Sequence, residues 1–325
     1  MDEIKTKISV FSMLTGILAL FLFAVFTPTV SAPTELAKSS PEPKVLGAET
    51  ATDSALPSFT ELKPQQFVLK KIVDTTSVSA RSFFVFDIET GQILTEKESD
   101  TKTSIASLTK LMTALLAYEY LALDEQIVVT PKDSLTITPS LRLRIGESVK
   151  VNDVINAMLV GSANDAAVFL GRVVADKTGI QIADLMNQKA GALGMQNTRF
   201  ENPIGFDSSK QFSTAYDVHI LVKAILRHQN FSELGRLSQY SFSGSFGNTY
   251  RVRATNKLIQ KDSAITGIKT GYTEGAQGAM VTKFDHQGHE IAVIVLGSDY
   301  RDSDTTRLKT IVQESYSLET TEPLK

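Results

Sequence analysis

The sequence contains no cysteine. Disulfides and thiolate metal sites are therefore excluded, which is compatible with an oxidising compartment without requiring one. It also lacks any long run of basic residues. Its 325 residues carry a formal net charge of −3, which leaves no electrostatic footprint for nucleic acid. Histidine is scarce, and the one close pair, His286 and His289, falls in "FDHQGHE". That stretch reads as a polar hairpin tip, a solvated turn rather than a metal site, since zinc usually needs three or four ligands. No internal repeat is visible. What the sequence does have is apolar material, 42% of residues, enough for one large core or two modest ones.

One long hydrophobic run is present. Residues 8–26, "ISVFSMLTGILALFLFAVF", carry no charge and follow Lys5 and Lys7. About 20 apolar residues span a bilayer, whereas signal-peptide cores are usually about 7 to 15. "VSA" at 30–32 has the form of a cleavage site, but Pro33 follows it and should hinder cleavage. The expectation is an uncleaved N-terminal membrane anchor, with a removed signal peptide as the alternative. In both cases the basic flank stays inside and the remainder is exported. Residues 27–64, rich in Pro, Ser, Thr, Ala and Glu without periodicity, read as a flexible tether. The globular part is expected at 65–318, with a short tail at 319–325.

Within the globular part, "ARSFFVFDIETGQILTEKES" has two strand-like runs around Glu89-Thr90-Gly91, a hairpin pattern. In "SIASLTKLMTALLAYEYL" (104–121), Leu108, Leu111, Met112, Leu115 and Leu116 recur at helical spacing. A second amphipathic helix is expected through Val151, Val154, Ile155, Met158 and Leu159. "GSAN" interrupts it and "DAAVFLGRVVAD" resumes as a third. Residues 180–194 and 214–227 also read as helices, the latter with Thr214 and Asp217 in capping-box spacing. "NTRFENPIGFD" between them has the composition of an irregular loop. Beyond residue 240, "SAITGIKTGY", "GAMVTKFD" and "EIAVIVLGSD" are strand-like, and a helix is expected at about 304–316. Strands at both ends with helices between them indicate an α+β domain with an inserted helical lobe.

Three short motifs carry candidate chemistry. Ser107 and Lys110 lie one helical turn apart, on one face, where the apolar stripe begins. A serine hydroxyl is a weak nucleophile until a base takes its proton, and a lysine kept neutral by burial or a nearby cation can be that base. Unpaired N–H groups at the helix start can help hold an oxyanion. Ser-x-x-Lys alone is nearly uninformative. A chain of this length carries roughly one by chance, and Ser99 with Lys102 is a second copy, in a charged loop. Ser162-Ala163-Asn164 is the only Ser-x-Asn in the chain. It reads either as a capping turn between two helices or as a hydroxyl and an amide facing a cleft, where Ser162 relays a proton and Asn164 holds a substrate amide. Lys269-Thr270-Gly271 sits in a strand-like run. There the cation can attract a carboxylate and help keep Lys110 neutral, while the glycine admits a close ligand. Its second copy, Lys177-Thr178-Gly179, ends a helix where a C-cap belongs. The trio in this order is the known signature of β-lactamases and penicillin-binding proteins.

On these residues the chain resembles the serine-type D-alanyl-D-alanine carboxypeptidases, the low-molecular-weight penicillin-binding proteins, from about residue 75 to 317. The stretches "ASLTKLMTALLA", "VGSANDAAVFL", "MNQKAGALGMQNTRFENPIGF", "FSTAYDV", "TNKLI" and "GIKTGYTEGAQG" extend the resemblance beyond the trio. It implies a β-lactamase/penicillin-binding-protein-like fold, an antiparallel sheet flanked by helices with an inserted helical lobe. It implies a cofactor-free serine peptidase that removes the terminal D-Ala from peptidoglycan stem peptides and is acylated by β-lactams. Ser107 would be the acyl-forming nucleophile and Lys110 its base. Ser162 and Asn164 would be the second catalytic element, Lys269 and Thr270 would bind the substrate's terminal carboxylate, and Gly271 would complete the substrate-binding strand. Arg251 and Arg253 are expected to be solvated, with help in carboxylate binding as the alternative.

Two departures stand out. Tyr272 follows the third motif where some relatives have histidine, and Gln277 intervenes where relatives read Ala-Gly directly. Many relatives carry a second β-rich domain and a C-terminal amphipathic anchor. With few residues after 317, the expectation is that an N-terminal anchor serves here. The alternatives are a D,D-endopeptidase with the same machinery, a catalytically inactive wall-binding protein, and a β-lactamase, for which Glu201 would be the candidate water-activating carboxylate.

Overall fold

A computed structural model describes residues 65–72, 74–134 and 137–319. The expected span at 8–26, the tether at 27–64 and the tail after residue 319 lie outside the described residues. Among the described residues no helix is long and apolar enough to cross a membrane.

Five strands with strong β-propensity form the central sheet. β2 (Ser82–Asp87) and β3 (Ile93–Lys97) make the expected hairpin, and β8 (Ile265–Thr273), β9 (Gln277–His286) and β10 (His289–Ser298) supply the long strands. They pair antiparallel in the order β3-β2-β10-β9-β8, so β8 is an edge. Every residue of β2 is buried, because both faces of the sheet are covered. The two-residue period of a strand sends Phe84 and Phe86, with Ala292, Ile294 and Leu296, into a larger core. It sends Phe83 and Val85, with Ile291, Val293 and Val295, into a smaller one closed by Leu308, Ile311 and Val312 of α8 (Arg301–Ser315).

The larger core is built on α1 (Lys110–Tyr120), whose first eight residues are all buried. The apolar stripe read from the sequence understates this helix, which is enclosed on every side. Around it pack α2 (Val151–Gly161), α3 (Asn164–Thr178), α4 (Ile182–Leu193) and α5 (Ala215–Ile225). Each Leu or Met removed from water there contributes roughly 1.5–3 kcal/mol. Thr214 caps α5 by accepting from Asp217 N at 3.0 Å. The reciprocal half of the expected capping box is absent, because the Asp217 carboxylate is spent on Asn197 N and Thr198 Oγ1, both at 2.7 Å. The carboxylate thereby ties down the start of the 197–207 loop. Gly179 ends α3 in the left-handed conformation, as its position predicts.

Smaller pairs complete the framework: β1 (Phe67–Leu69) with β11 (Tyr316–Leu318), β4 (Gln126–Val128) with β5 (Ser148–Lys150), and β6 (Gln239–Ser243) with β7 (Thr249–Arg253). Short helices α6 (Gln229–Leu234) and α7 (Leu258–Lys261) flank the path into β8. The histidine pair is not a solvated turn. His286 is buried, lies 3.0 Å from Tyr316 O through Nε2 and stacks on Phe67. His289 Nδ1 lies 2.8 Å from the buried carboxylate of Asp87. Strand pairing between β1 and β11 covers this corner, which a local reading of "FDHQGHE" had no means of showing.

Candidate active site

Ser107 lies on a 3-10 turn, Ala106–Thr109, that runs directly into α1, rather than on the first turn of the α-helix itself. Ala106 enters that turn at φ 47°, a left-handed backbone unusual for a residue with a side chain. The turn and the helix still place the two side chains together. Lys110 Nζ is 2.8 Å from Ser107 Oγ, 2.9 Å from Asn164 Oδ1 and 2.8 Å from Ile204 O. Lys110 is fully buried, and burial lowers its pKa from 10.5 to about 7.

The three partners differ in chemistry. Asn164 Oδ1 and Ile204 O accept only, whereas the Ser107 hydroxyl can also donate. A neutral amine has two N–H bonds and one lone pair. If the two carbonyl oxygens take the two protons, the lone pair is left facing Ser107 Oγ–H. The geometry therefore suits a base aimed at that hydroxyl.

The Ile204 carbonyl is set by its own loop. Asn202 Oδ1 accepts from the backbone N–H groups of Ile204, Gly205 and Phe206 at 2.7–3.2 Å. Gly205 has φ 96°, and a Cβ there would fall 1.9 Å from Ala106 O. Gly205→Ala should therefore cost more than about 2 kcal/mol from backbone strain and overlap. It should also slow any chemistry at Ser107 by moving the neighbouring carbonyl off Lys110. Thermal unfolding and rates of active-site labelling measured together check both effects, and a variant of unchanged stability would contradict the overlap.

The break between α2 and α3 brings the second motif in. Ser162 takes a left-handed conformation (φ 58°) that ends α2, and Asn164 opens α3. Lys269 Nζ donates to Ser162 Oγ at 2.8 Å and to Thr270 O at 2.7 Å. Burial foremost, then the positive fields of Lys110 and Arg301, pushes the Lys269 amine well below its usual range. Burial lowers the Lys110 amine, and because repulsion between the two amines is mutual, a protonated Lys269 would act in the same direction. Thr270 Oγ1 donates to Thr255 Oγ1 at 2.6 Å. Gly271 faces the nucleophile turn, where a Cβ would lie 2.9 Å from Ser107 N. Only glycine lets β8 approach so closely.

The sequence-predicted residues Ser107, Lys110, Ser162, Asn164, Lys269, Thr270 and Gly271 thus converge at the β8 edge. Arg251 and Arg253 are exposed on β7 and are not part of this cluster. Arg301, not singled out from the sequence, is: its Nη1 donates to Gly271 O at the start of α8. Glu201 lies on the 197–207 loop with its carboxylate accepting from Ser208 Oγ. Tyr272 is exposed beside the site. The extra Gln277 opens β9 at φ 54°, with its amide nitrogen donating to Glu274 O in the turn from β8.

Residues 69–300 match the family model described as D-alanyl-D-alanine carboxypeptidase, peptidase S11. The chain is 32% identical over 247 residues to D-alanyl-D-alanine carboxypeptidase DacC of Escherichia coli K12, covering 72% of this chain and 60% of the relative. It is 30% identical over 266 residues to the D-alanyl-D-alanine endopeptidase of the same organism, covering 76% of this chain and 83% of that protein. Among solved structures, the Streptomyces K15 DD-transpeptidase superposes with a TM-score of 0.67 at 24% identity, over 72% of this chain and 97% of the other. That likeness bears out the α+β fold, an antiparallel sheet flanked by helices with a helical lobe. The chain spans about three fifths of the length of the carboxypeptidase it matches.

Proposed function

The chain belongs to the D-alanyl-D-alanine carboxypeptidase family, and from that premise we propose that it is a serine-type D,D-carboxypeptidase acting on peptidoglycan stem peptides outside the cytoplasmic membrane. Residues 8–26 would hold it to the membrane. The observation that carries the reading is the buried contact of Lys110 Nζ with Ser107 Oγ, with two carbonyl acceptors on the same amine.

The stem peptide adds along the open edge of β8. Its terminal carboxylate meets Lys269 and Thr270, with Arg301 supplying a further cation close by. Binding an anion there raises the proton affinity of Lys269 and offsets the cost of its burial. Lys110 takes the proton as Ser107 Oγ bonds to the penultimate carbonyl carbon. The backbone N–H of Ser107 and one from the strand after Gly271 hold the oxyanion. Ser162, bonded to Lys269, relays to the departing amine the proton that Lys110 took, so that the C–N bond breaks with Lys110 neutral again. Lys110 then takes a proton from the water that adds to the ester and returns it to Ser107 Oγ as the C–O bond breaks. Asn164 holds the Lys110 amine and the substrate amide. β-Lactams would be trapped at the ester stage. The chemistry needs no metal or cofactor.

Incubation with purified muropeptides tests the proposal. One D-Ala should leave each pentapeptide stem while cross-linked dimers persist. Conversion of dimers to monomers would instead identify an endopeptidase, the activity for which a relative aligned over 83% of its length is named. Rapid turnover of penicillin without a lasting adduct would identify a β-lactamase. Peptide binding without released D-Ala would identify an inactive wall-binding protein.

A further inference from the structure

Asp165, the residue after Asn164, is fully buried and takes no part in the steps above. Its carboxylate accepts from Leu141 N at 2.9 Å through Oδ1 and from Leu143 N at 3.1 Å through Oδ2. Oδ1 also accepts from Ala166 N at 3.0 Å. The same chain segment bonds Asn164 two and four residues earlier. Pro139 O accepts from Asn164 N at 2.7 Å, and Ile137 O accepts from Asn164 Nδ2 at 3.1 Å. Residues 137, 139, 141 and 143 thus present alternate backbone groups to the first two residues of α3.

We infer that Asp165 is a positioning residue whose carboxylate clamps segment 137–143 across the start of α3, so that the segment fixes which end of the Asn164 carboxamide faces Lys110. The inference rests on the function proposed above for Asn164 and Lys110. A carboxamide can flip, and the Ile137 carbonyl decides the matter. It accepts only, so it must face Nδ2, which leaves Oδ1 for the Lys110 amine. Without the carbonyl, a flipped amide would turn its N–H₂ to the amine, where it can only donate to the lone pair that Ser107 needs, and Lys110 would lose one of the two acceptors that align that lone pair.

The segment lies at the surface, with Leu141 and Leu143 turned to the core. Ile137, Thr138, Pro139 and Arg142 are exposed, and Leu143 is the residue buried in the core. Arg142 is left-handed at φ 57°, a conformation that persists where its surroundings over-determine it. Leu141 N and Leu143 N flank it, and both point at the carboxylate. Backbone N–H groups curved around a left-handed residue form an anion cradle, and here the anion is the side chain of Asp165, in the first turn of α3 where a negative charge is favoured.

Asp165→Asn is the test. The amide keeps an oxygen for one of the two N–H groups and sets a nitrogen against the other. Labelling by a fluorescent penicillin should slow at least about tenfold, the scale of lost positioning. Asp87→Asn, which alters another fully buried carboxylate at the β9–β10 turn end of the sheet, should lower the thermal midpoint without slowing labelling. Because Asp165 acts through Asn164, the effects should not add. In an Asn164→Ala background, Asp165→Asn should slow labelling less than about threefold. Amide hydrogen exchange at Asn164 should quicken in Asp165→Asn while β2 and β10 stay protected. Undiminished labelling by folded Asp165→Asn, or a full effect persisting without Asn164, would overturn the inference. Were the unsubstituted protein to form no adduct at all, the proposed function would fail, and unchanged exchange at Asn164 would separately overturn the clamp.

Discussion

Ser107→Ala should lose covalent labelling by penicillin and release of D-Ala together, by at least about 10³-fold, while the thermal midpoint stays within a degree or two of the parent. The small structural cost follows from the contacts. Ser107 is half-buried, and among the described residues its hydroxyl is bonded to Lys110 alone. Losing Oγ leaves the amine with Asn164 Oδ1 and Ile204 O, so both of its protons keep acceptors. No buried charge is stranded and no core volume changes. The large functional cost follows from the lack of a substitute. The remaining hydroxyls in the cluster, those of Ser162 and Thr270, are bonded to Lys269 and Thr255, not to Lys110. An adduct that formed on the alanine variant at the parent's rate would remove Ser107 as nucleophile.

The reason this cluster was legible in the sequence is local. A nucleophile and base three residues apart need only one turn of backbone, and Ser162 with Asn164 need only a helix break. Such spacings survive as words. What was not legible arrives through tertiary register or through the backbone. Arg301 reaches Gly271 because β10 and α8 carry the chain back past β8. The third partner of Lys110 is the carbonyl of Ile204, and a carbonyl carries no residue signature. Asn202, which orients it, read from the sequence as part of an irregular loop. The fold shows the same division. The β2–β3 hairpin, the α2–α3 break and the long strands after residue 260 were readable from period and turn residues. The two-sided burial of β2 was not, since "SFFVFD" is apolar on both faces and an alternating pattern has nothing to alternate with. The pairing of His289 with Asp87, 202 residues apart in the chain, is equally beyond a local reading.

Lys110→Met should abolish acylation and yet stabilise the protein in acid. As the proposed base, Lys110 must enter the reaction neutral, so with its pKa lowered to about 7 the parent's acylation rate should fall about tenfold per pH unit below 7 and level off above. The methionine variant should lose at least about 10³-fold, and its residual rate should show no inflection near 7. Stability moves the other way. Holding an amine at about 7 instead of 10.5 corresponds to roughly 5 kcal/mol against its charged form. The folded state releases its proton near pH 7 and the unfolded state near 10.5, so between those values the unfolded chain binds more protons. Stability of the parent therefore rises with pH across that window, and the burial penalty is felt in full below pH 7. Methionine removes the penalty but leaves Asn164 Oδ1 and Ile204 O without their donor, at about 1–3 kcal/mol each. At pH 6 the first effect, roughly 5 kcal/mol, exceeds the midpoint of the second, about 4 kcal/mol for the two acceptors together, and at pH 10 the first has shrunk to less than about 1 kcal/mol. Chemical denaturation should accordingly find Lys110→Met more stable than the parent at pH 6 and less stable at pH 10. An equal stability difference at both pH values would mean that Lys110 keeps its proton throughout, and an amine that never gives up its proton cannot take one from Ser107.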